Sequence, residues 1–340
     1  MLNFSLFLSA ILLFTSAQIP HSPIDQELYD NLTIFAHLID ISYVSLESSS
    51  IPPINITSYC ISPISRITPP FSCDNGCDAF NNTEVVYQWC PERDLGDSTR
   101  TSQFATSGYM ALWHTEKTIV IVLRGTRSFK DALIDLNSEM SPYREESVVC
   151  ESCRVHKGFY SSFLLTWNKL RNFIAYYKDV FEDYEFKVMG HSLGGSISVF
   201  LGLKLKQTYP DMHLQVITMG QPMAGNSQFA EYVDFMMGLD QYDPFYNGDL
   251  LRITHKHDPV VKLPITDSYN IILGDRYTHS GNEIFINDTR IDNHEPLLTN
   301  VIYCDGDEDY QCASGMRFTR DNRQHLNYFR RMGRCGFGFI

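Results

Sequence analysis

The chain has 340 residues, with 27 Lys and Arg against 40 Asp and Glu, for a formal net charge of −13. Such an acidic surface excludes nucleic acid and anionic membranes as natural partners, whereas a neutral lipid surface carries no such penalty. With 44% hydrophobic residues and neither an internal repeat nor a linker, it can build one large core.

Met1 to Ala17 has an apolar core from Phe4 to Phe14 and small residues at Thr15 and Ala17. Although its start lacks Lys or Arg, this reads as a secretory signal peptide, too short for the roughly 20 residues a span needs. Residues 18–340 are then one domain, with no later segment apolar enough to cross a bilayer. N-x-[ST] sites at Asn31, Asn55, Asn81 and Asn287 fit passage through a glycosylating route. A helix is predicted over Glu27–Ser42, with Leu28, Leu32, Phe35, Ala36 and Ile39 on one face. Ser48 to Pro70, rich in Ser, Pro and Ile, reads as an extended loop. Gly108–Trp113 and Thr118–Leu123 form two strands, and the apolar run Val120–Leu123 belongs in the middle of a buried sheet. Phe129 to Leu136 is a short helix with Phe129, Leu133 and Leu136 on one face. A long helix follows over Phe159–Val180, then a strand at Phe186–Met189, a helix over Ser196–Gln207, and strands at Leu214–Met219 and Leu250–Thr254. The alternation argues for a parallel-rich central sheet covered on both faces, with its working residues at the carboxyl ends of the strands.

Where the Phe186–Met189 strand ends, the chain reads Gly190-His191-Ser192-Leu193-Gly194, a G-x-S-x-G pattern that occurs once. A serine that attacks a carbonyl stands at a strained strand-to-helix turn, and glycines two residues either side remove Cβ atoms that would collide there. The helix that follows points backbone N–H groups at a forming oxyanion. Such a serine needs a base and an orienting carboxylate, in the chain order Ser, Asp or Glu, His. Asp258 lies just past the Leu250–Thr254 strand, where that order wants the acid. His279, His294 and His325 are all open as the base, His325 being flanked by apolar Leu326, Tyr328 and Phe329.

Nine cysteines lie beyond the leader, with close pairs at 73/77, 150/153 and 304/312 that would bond readily in an oxidising compartment. Cys150-Glu-Ser-Cys153 sits in a Glu/Ser-rich loop, not at the start of a helix, which argues against a redox motif. No second Cys-x-x-Cys accompanies it, which argues against zinc.

Six pieces in order carry a resemblance: Ile119–Thr126, His156-Lys-Gly-Phe159, Gly190–Gly195, Gly220-Gln-Pro222, Leu251–Asp258 and His325–Phe329. Together they resemble the secreted fungal triacylglycerol lipases of class 3, nearest the extracellular lipases of yeasts. The likeness runs from about residue 27 to 340, with Pro259 a departure where relatives carry an aliphatic residue. It implies an α/β-hydrolase-like fold, a predominantly parallel central sheet with helices on both faces and a short helical lid. It carries a triad onto Ser192, Asp258 and His325, and oxyanion donors onto Thr126 and Leu193, with Asp135 placed to hold the Thr126 hydroxyl. It implies bridges Cys60–Cys335, Cys73–Cys77, Cys150–Cys153 and Cys304–Cys312, with Cys90 left over. The Phe129–Leu136 segment takes the lid position, and Phe129, Leu133, Val260, Val261 and Leu326 are the acyl-binding candidates. The expectation is a secreted, monomeric triacylglycerol lipase acting on acylglycerols at oil–water interfaces, without metal or cofactor. Two alternatives are a phospholipase or feruloyl esterase of the same fold, and an inactive secreted binding protein. The apolar lid face speaks against the feruloyl esterase, and the intact Ser, Asp and His against the binding protein.

Overall fold

The computed structural model describes residues 21–43, 67–73, 76–89, 106–125, 139–145, 150–239, 248–266, 275–290, 295–319 and 321–333. In chain order its main elements are α1 (Gln26–Ile41), β1 (Thr83–Trp89), β2 (Gly108–Trp113), β3 (Thr118–Leu123), β4 (Met140–Pro142), β5 (Arg154–His156) and α2 (Lys157–Val180). They continue with β6 (Glu185–His191), α3 (Leu193–Thr208), β7 (Leu214–Met219), β8 (Gly225–Asn226), α4 (Ser227–Met237) and β9 (Leu250–His255). Short strands follow: β10 (Tyr277–Thr278), β11 (Glu283–Ile286), β12 (Val301–Tyr303), β13 (Asn327–Tyr328) and β14 (Arg330–Arg331).

One sheet has the order β1-β2-β3-β6-β7-β9-β11-β12. Its centre, β3 through β11, is parallel, while β1, β2 and β12 are antiparallel additions at the edges. β3 shows why the sheet is central. Ile119, Ile121 and Leu123 join one core with α2, α3 and α4, while Val120 and Val122 join the other with α1. The period of two sends alternate side chains to opposite faces, and both faces are dry, so every residue of β3 is buried.

The helix ends are set by local chemistry. Asp25 caps α1 by accepting the Leu28 N–H at 2.7 Å, and His156 caps α2 by accepting the Phe159 N–H through Nδ1 at 3.1 Å. The disulfides Cys73–Cys77, Cys150–Cys153 and Cys304–Cys312 are formed. Cys60, Cys90 and Cys335 lie outside the described residues, as do residues 1–20.

Two charged residues enter the buried sheet and satisfy each other. Arg252 in β9 meets Glu283 in β11 at 3.3 Å, and its Nε donates to the Ser280 carbonyl. Glu283 also accepts from the Ala313 N–H and the Thr254 hydroxyl, so the pair is not left uncompensated. Beside it, Asp234 of α4 shares a hydrogen bond with Asp307 in the loop closed by Cys304–Cys312, and accepts the Gly281 N–H at 2.8 Å. Burial, reinforced by the Asp307 charge, pushes Asp234 from the ordinary 3.8 up to about 7, against opposing pulls from the Gly281 N–H and Arg252.

The folded chain therefore holds a proton on Asp234 where the unfolded chain has already lost it. The pair weakens the fold as pH rises from about 4 to about 7. Asp234→Asn stays neutral throughout, so its melting temperature is expected to gain on wild type as pH rises from about 4 to about 7 and to hold that gain above it. Thermal melts of both proteins from pH 4 to 9 check this; a difference that does not vary with pH would remove the pair from the account.

Candidate active site

β6 ends at His191, and Ser192 follows at φ 58° and ψ −130°, in the sparsely populated half of backbone space. The glycines around it are required by close approach. A Cβ on Gly190 would lie 2.3 Å from the Gly194 carbonyl oxygen, and one on Gly194 would lie 2.3 Å from that of Leu123. Ser192 precedes α3 without capping it through its side chain, so the hydroxyl is not spent on the helix. Leu193 supplies the first N–H of α3, a group for which helix geometry provides no carbonyl within the helix.

The neighbouring strands bring the other groups to the same end of the sheet. Ser192 N donates to the Met219 carbonyl at the end of β7, and Gly220 N donates to the Ile253 carbonyl of β9. Gly220 is left-handed at φ 60°, and a Cβ there would lie 2.9 Å from His325 Cε1 and 3.1 Å from Asp258 Oδ2. Only glycine leaves room for the imidazole and the carboxylate to meet beside Ser192's own backbone anchor.

His325 lies in a short 3-10 turn, Gln324–Leu326, and is fully buried. Its Nδ1 donates to Asp258 Oδ2 at 2.8 Å. Asp258, three residues beyond β9, accepts on the same oxygen from the Tyr328 hydroxyl at 2.6 Å and on Oδ1 from the Val260 N–H at 2.8 Å. With three donors on two oxygens, the carboxylate is held in one orientation. Burial and the nearby Asp258 charge raise the Tyr328 phenol well above its ordinary value, so it stays a donor. Pro259, at φ −71° and ψ −22°, opens the turn Val260–Lys262 without disturbing these bonds.

Among the described histidines beyond Asp258, the one that reaches it is His325. His279 is buried with Nε2 on the Val261 carbonyl at 2.6 Å, and burial drives its pKa well below 6.5. It props the turn after Asp258. His294 lies outside the described residues, as do Thr126, Asp135, Phe129, Leu133 and the whole Phe129–Leu136 segment.

Of the acyl-binding candidates, Val260, Val261 and Leu326 lie among the described residues. Val261 packs into a small core with Phe285, Cys304, Cys312 and Ala313. Val260 is buried alike, and Leu326 is half-buried. Sequence reasoning missed roles for Tyr43, whose hydroxyl reaches His191 across 148 residues of chain, and for the Tyr328 hydroxyl. No local pattern signals a tyrosine–carboxylate bond.

Comparison with known proteins finds relatives along most of the chain. The family described as lipase (class 3) matches residues 120–268. The crystal structure of Lip2 lipase from Yarrowia lipolytica is similar at 31% identity and a TM-score of 0.74, covering 93% of this chain and 98% of that one. The secreted mono- and diacylglycerol lipase 2 of Gibberella zeae is 28% identical over 290 residues, 76% of this chain but 65% of that protein. The secreted mono- and diacylglycerol lipase A of Penicillium camembertii is 27% identical over 272 residues, 78% of this chain and 77% of that protein.

Proposed function

The chain belongs to the class 3 lipase family, and from that premise we propose that it is a secreted lipase hydrolysing long-chain acylglycerol esters through an acyl-enzyme on Ser192. The observation that carries the reading is the buried His325–Asp258 pair seated against Gly220, next to the strained turn that presents Ser192.

In this reading the Ser192 hydroxyl attacks the ester carbonyl while His325 Nε2 takes its proton. The oxyanion of the tetrahedral intermediate is held by the N–H groups of Leu193 and Thr126, one such donor contributing about 3 kcal/mol or more. When the intermediate collapses, His325 returns the proton to the departing alcohol and the acyl group stays on Ser192. Water, deprotonated by the same imidazole, then releases the fatty acid and restores the serine. Asp258 keeps the proton of His325 on Nδ1 throughout and remains ionised.

Location and partners follow from the same reading. The three disulfides among the described residues suit an oxidising compartment, and no helix among those residues is long and apolar enough to cross a membrane. We propose residues 1–17 as a removed leader, a monomer working at oil–water surfaces, and glycans on Asn31, Asn81 and Asn287, whose side chains are exposed. Asn55 lies outside the described residues.

The test is a substrate panel of triolein, a diacylglycerol, a monoacylglycerol, tributyrin, phosphatidylcholine and methyl ferulate, run with Phe129→Ser/Leu133→Ser alongside wild type. Exposing apolar surface in water costs about 25 cal/mol per Å², a penalty that an oil surface removes. The double variant is expected to keep or gain activity on dissolved tributyrin and lose it on emulsified triolein. A parallel fall on both would make the segment a fixed wall and end the interfacial reading. Preference for phosphatidylcholine or methyl ferulate in the wild type would replace the substrate class.

A further inference from the structure

Tyr43 stands just beyond the end of α1, and its hydroxyl lies 2.6 Å from His191 Nδ1 and 3.1 Å from Gly125 N. The other ring nitrogen of His191, Nε2, lies 2.7 Å from the backbone carbonyl of His325. A carbonyl only accepts, so Nε2 carries the hydrogen. Burial, helped by the neighbouring His325, holds the His191 pKa well below 6.5, and the ring is neutral. A neutral ring protonated on Nε2 has its lone pair on Nδ1, so the Tyr43 O–H donates to it. The phenol oxygen then accepts the Gly125 N–H. Each bond in this chain has one possible direction.

The rings are packed as well as bonded. His191 and His325 have centroids 4.5 Å apart, and Tyr43 meets His191 edge-on at 5.8 Å. A Cβ on Gly125 would lie 2.8 Å from both the Tyr43 oxygen and Ser192 Cβ, so the strand end, the phenol and the serine are in closest approach. Tyr43 is itself anchored. Its N–H bonds to the Asp40 carbonyl, while the Asp40 side chain accepts the Gly333 N–H at 2.7 Å and meets Arg330 Nε at 3.0 Å, in the segment just beyond His325.

We infer that Tyr43 and His191 are positioning residues, a hydrogen-bonded strut that sets the spacing among Gly125, Ser192 and His325 and so governs the chemical step, not substrate binding. The inference rests on the reading of Ser192 as nucleophile and His325 as base. The three segments it ties are those the reaction uses: Gly125 directly precedes Thr126, His191 directly precedes Ser192, and His325 is the proposed base.

The experiment uses the full mature chain with dissolved p-nitrophenyl butyrate, and counts active sites with a p-nitrophenyl phosphonate. Tyr43→Phe keeps the ring and removes both bonds. It is expected to lower kcat per labelled site by roughly ten- to hundredfold, with phosphonylation slowed in proportion. KM should change by less than about twofold. His191→Gln retains one acceptor and one donor on a single side chain and should stay within about tenfold of wild type, whereas His191→Leu should fall at least as far as Tyr43→Phe. A Tyr43→Phe protein that melts earlier but turns over normally per labelled site would overturn the inference, leaving a merely structural tyrosine. Equal losses in His191→Gln and His191→Leu would overturn the hydrogen-bond basis. If the phosphonate fails to label Ser192 in wild type, the nucleophile reading falls and the strut with it; label on Ser192 with an unchanged Tyr43→Phe rate sinks the strut alone.

Discussion

Ser192→Ala is expected to lower turnover of dissolved butyrate esters by about 10⁶-fold, to the residual rate that binding and oxyanion donors sustain. The melting temperature should move by no more than about 2–4 °C, because the substitution deletes one hydroxyl that caps no helix and leaves the packing in place. His325→Ala is expected to match it in rate, since attack without a base stalls at the same step. His279→Ala, by contrast, should retain most of its turnover per folded molecule, because that ring bonds the Val261 carbonyl and not Asp258. Rates on p-nitrophenyl butyrate with parallel thermal melts measure all three. Near-wild-type hydrolysis by Ser192→Ala would move the nucleophile elsewhere, and a collapse in His279→Ala with His325→Ala active would move the base.

The central elements were readable because their side chains face one kind of surroundings. β3 is dry on both faces and reads as an unbroken apolar run, and α1 carries its apolar stripe at helical spacing, so both were expected within a residue or two of Thr118–Leu123 and Gln26–Ile41. Elements with mixed surroundings were not. β1 was missed because a register shift between Val85 and Tyr87 breaks its alternation. β11 begins with Glu283, a charge that reads as loop until Arg252 is known to neutralise it from the next strand. α3 starts at Leu193, three residues before the expected Ser196, because Gly194 and Gly195 lend no apolar period to the first turn. α2 starts early too, capped by a histidine, a residue outside the usual capping set.

The site divides along the same line. Its local part, the G-x-S-x-G turn, could be derived from covalent geometry, and the contacts that a Cβ would make at Gly190 and Gly194 are the collisions that reasoning anticipates. Choosing His325 over His279 could not be derived from spacing, since both lie downstream of Asp258; the resemblance to a family was needed. The supporting shell was invisible either way. Tyr43, His191 and Tyr328 are joined to the site by hydrogen bonds between segments 70 to 148 residues apart, and such bonds leave no periodic trace.

That supporting shell decides the size of the second large effect. Asp258→Asn is expected to lower kcat by about 10⁴-fold with the fold intact. Both carboxylate oxygens of Asp258 accept: Oδ1 from the Val260 N–H, and Oδ2 from His325 Nδ1 and the Tyr328 hydroxyl. An amide has one oxygen. Turned toward Val260, it presents an NH₂ to His325, whose Nδ1 must then accept, shifting the ring proton to Nε2, the atom that has to receive the serine proton. Turned toward His325, it sets an NH₂ against the Val260 N–H and leaves that buried donor without its acceptor, at a cost of about 1–3 kcal/mol. The first arrangement keeps the Val260 bond, turns the Tyr328 oxygen from donor to acceptor and loses the base, so the defect should appear in kcat, with KM within about threefold of wild type. Tyr328→Phe separates the contributions: it removes one of three donors, keeps the correct tautomer, and should lower kcat by only about tenfold. Steady-state kinetics on the same dissolved ester measure both. An Asp258→Asn enzyme within tenfold of wild type would mean that His325 takes its orientation from its burial and its own backbone, and the carboxylate would have to be assigned to stability, not to the tautomer.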